Sequence, residues 1–198
     1  SPNYNPRVIE AFVKDIVTPD MKPEECSDQF LNYLRNPKDF WKKIFGDLSP
    51  EARALYVALY LMPVPVELDY VKACYTKLLP FFGNPMNIKE FGRVIAELER
   101  TVIRTDPYLN NDRIIVKFGN PPARDFMHEY LMQNMEQQKE LLLESCGYFF
   151  QCIQLLELLD EAGGENSFYH KVMERAIALI NSESMFLWKQ REALQAGE

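Results

Sequence analysis

The sequence predicts a mainly α-helical fold with one small β-hairpin, and three observations lead there. Apolar residues recur at helical spacing through almost every long segment. Proline directly follows a capping residue at Asn5-Pro6, Asn36-Pro37, Ser49-Pro50 and Asn120-Pro121, a pairing that starts a helix where no amide hydrogen is needed. Only Val102-Ile103-Arg104 and Ile114–Phe118 read as short strands.

The elements follow in order. A first helix carries Val8, Ile9, Phe12, Val13 and Ile16 and stops before Pro19. A second runs from about Pro23 through Phe30, Leu31 and Leu34. A third follows Asn36-Pro37, buries Phe40, Trp41, Ile44 and Phe45, and ends at Gly46. Ser49-Pro50 opens a helix with Ala52, Leu55, Tyr56, Leu59 and Tyr60 on its apolar face. Pro63-Val64-Pro65-Val66 interrupts it and must be extended, because proline cannot continue a helix and pushes the preceding residue out of helical geometry. A helix from Leu68 to Leu79 comes next, then a loop with Pro80, Gly83, Asn84 and Pro85.

Asn87 and Glu90 have capping-box spacing, and Ile88, Phe91, Val94, Ile95 and Leu98 mark the helix they would start. The two strand candidates flank Asp106-Pro107-Tyr108-Leu109-Asn110-Asn111-Asp112, a turn-rich stretch that suits a hairpin. Three helices and then a hairpin is the order of a winged helix. From Pro121 onward the chain reads as helix throughout, with one break at Gly163-Gly164.

Composition excludes several function classes. With 198 residues, 47% hydrophobic and 26% charged, the chain is ordinary for a globular protein with a buried core. Cys26, Cys74, Cys146 and Cys152 form no CxxC pair, and with His128 and His170 as the only histidines no zinc spacing can be assembled. They read as reduced, mostly buried thiols of a cytoplasmic protein. No apolar stretch approaches the ~20 residues of a membrane span. The opening Ser1-Pro2-Asn3-Tyr4 has no signal core and reads as a boundary inside a longer chain. The net charge of −7 is uneven: residues 1–120 hold 16 basic and 16 acidic side chains, residues 121–198 hold 6 and 13. An acidic C-terminal part repels phosphates, so nucleic acid is not an expected partner.

Catalytic signatures are absent from the sequence. There is no GxxxxGK[ST] loop to cradle phosphates and no GxSxG elbow. His128 and His170 read as surface or boundary residues, and Glu97, Glu99, Asp160 and Glu161 as solvated faces of helices. Catalysis by this chain alone is not expected.

Three stretches, "NYNPRVIEAF" (3–12), "LSPEARALYVALYLMPVPVELDYV" (48–71) and "VKFGNPPARDFMHEYL" (116–131), stand in an order that resembles the region following the nucleotide-binding core of STAND-type P-loop NTPases, in particular the novel STAND branch of bacterial multidomain proteins. The likeness spans most of residues 1–150. It implies a helical lid portion over residues 1–46, a winged-helix domain over 47–133 and a C-terminal helical region over 134–198. It also implies site residues. Pro6 faces the adenine, and Arg7 takes the lid position from which an arginine senses the terminal phosphates, a role suited to a permanently charged guanidinium. Asn120 takes the place of the histidine with which many STAND winged helices hold ADP. No cofactor belongs to these residues alone; ATP or ADP with Mg is expected in the full-length protein. The implied partners are an N-terminal NTPase core and C-terminal sensor or effector segments, with oligomerisation of the parent.

The implied function is regulatory and non-catalytic: relay of the nucleotide state in a bacterial defence or signalling ATPase. Two other readings compete with it. One is a DNA-binding winged helix that uses Asn87–Thr101 as recognition helix. The other is a helical protein-interaction module that exposes Phe149, Phe150, Phe186, Leu187 and Trp188.

Overall fold

A computed structural model describes residues 9, 12–13, 17–35, 38–83, 89–107, 113–119, 121–163 and 166–180. Its helices are α1 (Pro23–Arg35), α2 (Lys38–Asp47), α3 (Pro50–Tyr60), α4 (Leu68–Leu78), α5 (Phe91–Glu99), α6 (Pro121–Ser145), α7 (Phe149–Ala162) and α8 (Asn166–Ile180). Strands β1 (Val66–Glu67), β2 (Ile103–Pro107) and β3 (Ile114–Phe118) form one antiparallel sheet in the order β1-β3-β2. The protein is therefore mainly α-helical with a small sheet. Of the first expected helix, Ile9, Phe12 and Val13 are described and helical, and the remainder lies outside the described residues.

Helix α3 is the centre. Ser49 caps it, its hydroxyl accepting from the Ala52 amide at 3.3 Å, and Pro50 fills the first turn. The sequence suggests one apolar face, but Ala52 and every residue from Ala54 to Leu59 are buried, because α4, α5 and α6 all pack against α3. The extended segment after α3 does more than connect. The Val64–Pro65 peptide is cis, and Val66 and Glu67 pair with Val116 and Ile115 of β3. The expected hairpin is thus a three-stranded sheet, and helix, strand, two helices and a hairpin complete the winged-helix arrangement.

Three boundaries differ from the sequence reading. Helix α5 begins at Phe91 with Glu90 as its N-cap, later than the Asn87–Glu90 spacing suggests, and Asn87 itself lies outside the described residues. Strand β2 reaches Pro107, placed opposite Ile114 at the strand's last position, where the missing amide interrupts no further ladder. The long C-terminal helical stretch breaks at Cys146–Tyr148 as well as at Gly163. A Cβ on Gly147 would sit 2.9 Å from the Lys77 side chain, whose Nζ donates to the Gly147 carbonyl at 2.9 Å. Glycine there leaves room for the Lys77 side chain, which would have to shift for a Cβ. Gly163 closes α7 in the left-handed conformation at φ 66°.

Helix α6 links the winged helix to α7 and α8. Its backbone leaves helical geometry at Asn134 (φ −124°, ψ 21°), where the Asn134 side chain donates to the Tyr130 carbonyl at 2.7 Å. The side chain takes the acceptor that a regular helix reserves for the amide four residues on, which accounts for the kink. Phe45 of α2 stacks near Tyr130 at 4.5 Å and Phe126 at 5.9 Å, anchoring α2 to α6. One core of buried residues runs from Phe40 to Ala176 through every helix from α2 to α8.

Candidate functional site

Pro6, Arg7 and Asn120 all lie outside the described residues. What the structure does describe is the frame on either side of Asn120. Strand β3 delivers the chain to Gly119, whose amide donates to the Val102 carbonyl at 2.9 Å. A Cβ there would lie 3.2 Å from the Ile103 carbonyl oxygen, so glycine is the residue that fits against β2. Helix α6 then starts at Pro121 and turns Ala123, Met127 and Leu131 into the core. The Tyr56 hydroxyl, fully buried, donates to the Ala123 carbonyl at 2.5 Å and pins this first turn to α3.

The outer face of the same turns carries Arg124 and His128, four residues apart and therefore on one side of the helix. The Tyr60 hydroxyl at the end of α3 lies 2.7 Å from His128 Nδ1, and His128 Nε2 lies 3.1 Å from a Glu161 carboxylate oxygen on α7. Arg124 sits 5.9 Å from the Tyr60 ring centre. Burial raises the Tyr60 pKa; Arg124 pulls it down and Glu161 adds to the rise. The phenol stays protonated at neutral pH, and each ring nitrogen of His128 has one partner, the Tyr60 hydroxyl at Nδ1 and the Glu161 carboxylate at Nε2. A phenol held protonated is no nucleophile. What the arrangement can do is mechanical: three side chains join α3, α6 and α7.

A second polar joint lies at the other end of α7. Gln151, on the first turn of α7, is fully buried. Its oxygen accepts from the Gly147 and Tyr148 amides at 3.0 and 3.1 Å, and its nitrogen donates to the Ala58 carbonyl at 3.3 Å and approaches Cys74 Sγ at 3.7 Å. Every polar atom of the amide is engaged, as burial demands. The sequence reading passed over it; its signal was a polar residue between Phe150 and Cys152 in the largely apolar run "YFFQCIQLL".

The other chemistry-bearing groups are structural. Glu97 is not on a solvated face: its carboxylate accepts from the Ser49 amide at 2.6 Å, the Ser49 hydroxyl at 2.9 Å and Lys89 Nζ at 2.8 Å. Partial burial pushes its pKa up, but the bonds from Lys89 and Ser49 outweigh that and leave it lowered. Glu99 accepts from Thr105. Glu161 is 57% exposed and His170 is exposed, bonded within its own helix to the Asn166 carbonyl. Cys74, Cys146 and Cys152 are free and buried, and burial pushes the Cys74 pKa up to about 11. Phe150 is buried too, which removes it from any exposed binding face.

Surface cavities among the described residues include two of note. One of about 580 Å³ lies between α4 and the start of α5 and is lined by Lys72, Tyr75, Lys89 and Phe91 among others. The other, about 490 Å³, lies between Phe81, α6 and α8. Neither is lined by histidine or cysteine. Among the described residues no group of three His, Cys, Asp or Glu side chains could hold a metal ion, and no helix is long and apolar enough to cross a membrane.

No family model, curated protein or solved structure matches the chain.

Proposed function

We propose that this chain is a non-catalytic regulatory part of a STAND-type signalling ATPase, acting in the cytoplasm in bacterial defence or a related signalling system. An N-terminal P-loop core outside these residues binds ATP or ADP with Mg. Pro6, Arg7 and Asn120 contribute lid and winged-helix contacts to that nucleotide, and α6 passes its state to sensor or effector segments. The reading rests on the ordered likeness of three sequence stretches. The observation that supports it most is the attachment of α6: its first turns are fixed to α3 by Tyr56 and Tyr60, and to α7 by His128. A displacement where β3 meets α6 therefore shifts α7 along with α3. Rigid packed elements are the physical means by which such states travel.

Calorimetry with ATP-Mg and ADP tests the division of labour. The isolated chain binds neither appreciably, because the phosphate cradle is elsewhere; micromolar affinity would reveal a self-contained site and overturn the reading. In the intact protein, Asn120→Ser keeps a capping hydroxyl but shortens the side chain, so ADP release quickens while the melting temperature holds. Unchanged release would leave Asn120 as a helix cap only.

The DNA-binding alternative gains one specific observation. On α5, Glu97 and Glu99 are half-buried and hydrogen-bonded inward, so the exposed face is Gly92, Arg93, Ala96 and Arg100. Among the described residues neither arginine has an ion-pair partner. On the sheet, by contrast, Asp106 is paired with both Arg104 and Lys117, and Glu67 with Arg113. Two free guanidinium groups give a salt slope of only about −2. Anisotropy titration at ~150 mM salt shows no specific complex on the regulatory reading; tight, sequence-selective binding lost in Arg93→Ala and Arg100→Ala would replace it.

A further inference from the structure

Three of the four cysteines meet in one core. Cys74 of α4, Cys146 just after α6 and Cys152 in α7 are buried, while Cys26 on α1 is half-exposed. In a continuous helix residues 146 and 152 would lie about 9 Å apart along the axis and well round from each other. The break at Cys146–Tyr148 changes that. It folds α7 back against α6, and the two thiols face each other closely enough to exchange a hydrogen bond. Cys146 Sγ also lies 3.3 Å from the Leu142 carbonyl. Cys74 is tied elsewhere, with its Sγ 3.7 Å from the Ser145 carbonyl and 3.7 Å from Gln151 Nε2.

The surroundings make the facing pair unequal. The hydrogen bond with Cys146 lowers the Cys152 pKa; burial opposes this, and Arg175 of α8 assists it. The same bond, together with burial, raises Cys146. One thiol is therefore the readier to ionise, and its neighbour keeps a proton to give. Nucleophilic and resolving thiols of redox-active pairs have this relation, since the thiolate is the form that oxidants attack and a second thiol must stand beside it to close the bridge. In the reduced chain both groups simply pack the core.

We propose that Cys146 and Cys152 form a redox-active dithiol, which hydrogen peroxide converts to a disulfide across the break between α6 and α7. Peroxide is close to water in size and enters by local opening of the helix ends. The Cys152 thiolate attacks one peroxide oxygen, the O–O bond breaks, and the departing hydroxide takes up the proton that Cys152 released. The Cys146 sulfur then attacks the sulfenic sulfur of Cys152; the S–O bond breaks, and the hydroxyl leaves as water with the Cys146 proton. Two thiols and one peroxide thus become one disulfide and two waters. The bridge makes the joint between α6 and the first turn of α7 covalent, and an added thiol reductant opens it again. The proposal does not depend on the nucleotide reading.

Peroxide treatment of the folded chain, followed by alkylation in denaturant and tryptic mass spectrometry, tests it. No lysine or arginine lies between Lys139 and Lys171, so both cysteines fall in one peptide, residues 140–171. That peptide is expected to lose two hydrogens and escape alkylation at both cysteines, and dithiothreitol is expected to restore it. In Cys146→Ala the sulfenic acid on Cys152 has no resolving thiol and is captured by dimedone; in Cys152→Ala, Cys146 is captured far more slowly. The unmutated chain decides the first outcome whether or not either variant folds. A peptide that keeps both thiols under peroxide would overturn the proposal, with half-exposed Cys26 reporting that the oxidant acted. So would a bridge to Cys74, which joins two tryptic peptides instead of closing one, and equal capture of the two cysteines would remove the assignment of Cys152 as the nucleophile.

Discussion

The joints at Glu97 and at His128 use the same kinds of group and differ in what they hold. Glu97 takes three hydrogen bonds, all from within the winged helix, and its side chain is only 18% exposed. His128 makes two, to different helices, and sits at the solvent edge with its side chain 34% exposed beside a Glu161 that is 57% exposed. Polar contacts open to solvent contribute less than shielded ones, so the first joint is the firmer and the second joins helices by a margin small enough to be shifted. At the other end of α7, Gln151 ties that helix to α3 out of reach of water. The outer joint can be altered while the inner one keeps the elements together.

Four experiments sharpen that contrast. The largest effect belongs to Gln151→Leu, which strands the Gly147 and Tyr148 amides and the Ala58 carbonyl; a loss of about 3 kcal/mol or more is expected from the denaturant midpoint. Glu97→Gln follows, at about 2 kcal/mol near neutral pH, the scale of hydrogen bonds to a charged group. Its pH dependence has a definite sign. The folded pKa lies below the ordinary 4.5, so the stability from ionised Glu97 is complete above that value and is lost as pH falls through the folded one. The gap between wild type and Glu97→Gln therefore closes in acid. A gap that stays constant with pH would mean the charge is irrelevant.

Gly119→Ala comes third, because its Cβ would have to displace β2 backbone by a few tenths of an ångström; about 1 kcal/mol is expected in thermal unfolding. The smallest effect is at the outer joint. A double-mutant cycle between His128→Ala and Glu161→Gln is expected to return a coupling of about 0.5 kcal/mol. A coupling as large as that expected for Glu97 would erase the distinction between the two joints.

The sequence made the local signals legible and hid the long-range ones. Ser49-Pro50 and Gly163 mark helix ends through their own backbone chemistry, and both act as expected. Strand β1 could not be read, because two residues have no period and exist as a strand only through pairing with Val116 and Ile115 some 50 positions on. At Gly147, where the helix breaks, the carbonyl is met by Lys77, a partner 70 residues earlier that nothing local announces. Glu97 and His128 looked like surface groups, since nothing local announces that Ser49, Tyr60 and Glu161 will meet them. Among the resemblance-derived site residues, none falls within the described residues, so the frame around Asn120 is known in more detail than Asn120 itself.

The account stands on the winged helix and the helices after it unfolding as one body through α6. Native-state hydrogen exchange measures this directly, by comparing the slowest amides of α3 with those of α7. The account predicts equal opening free energies for the two helices, lowered together by Gln151→Leu. Amides of α7 that open at markedly lower free energy than those of α3, and a Gln151→Leu effect confined to α7, would contradict it.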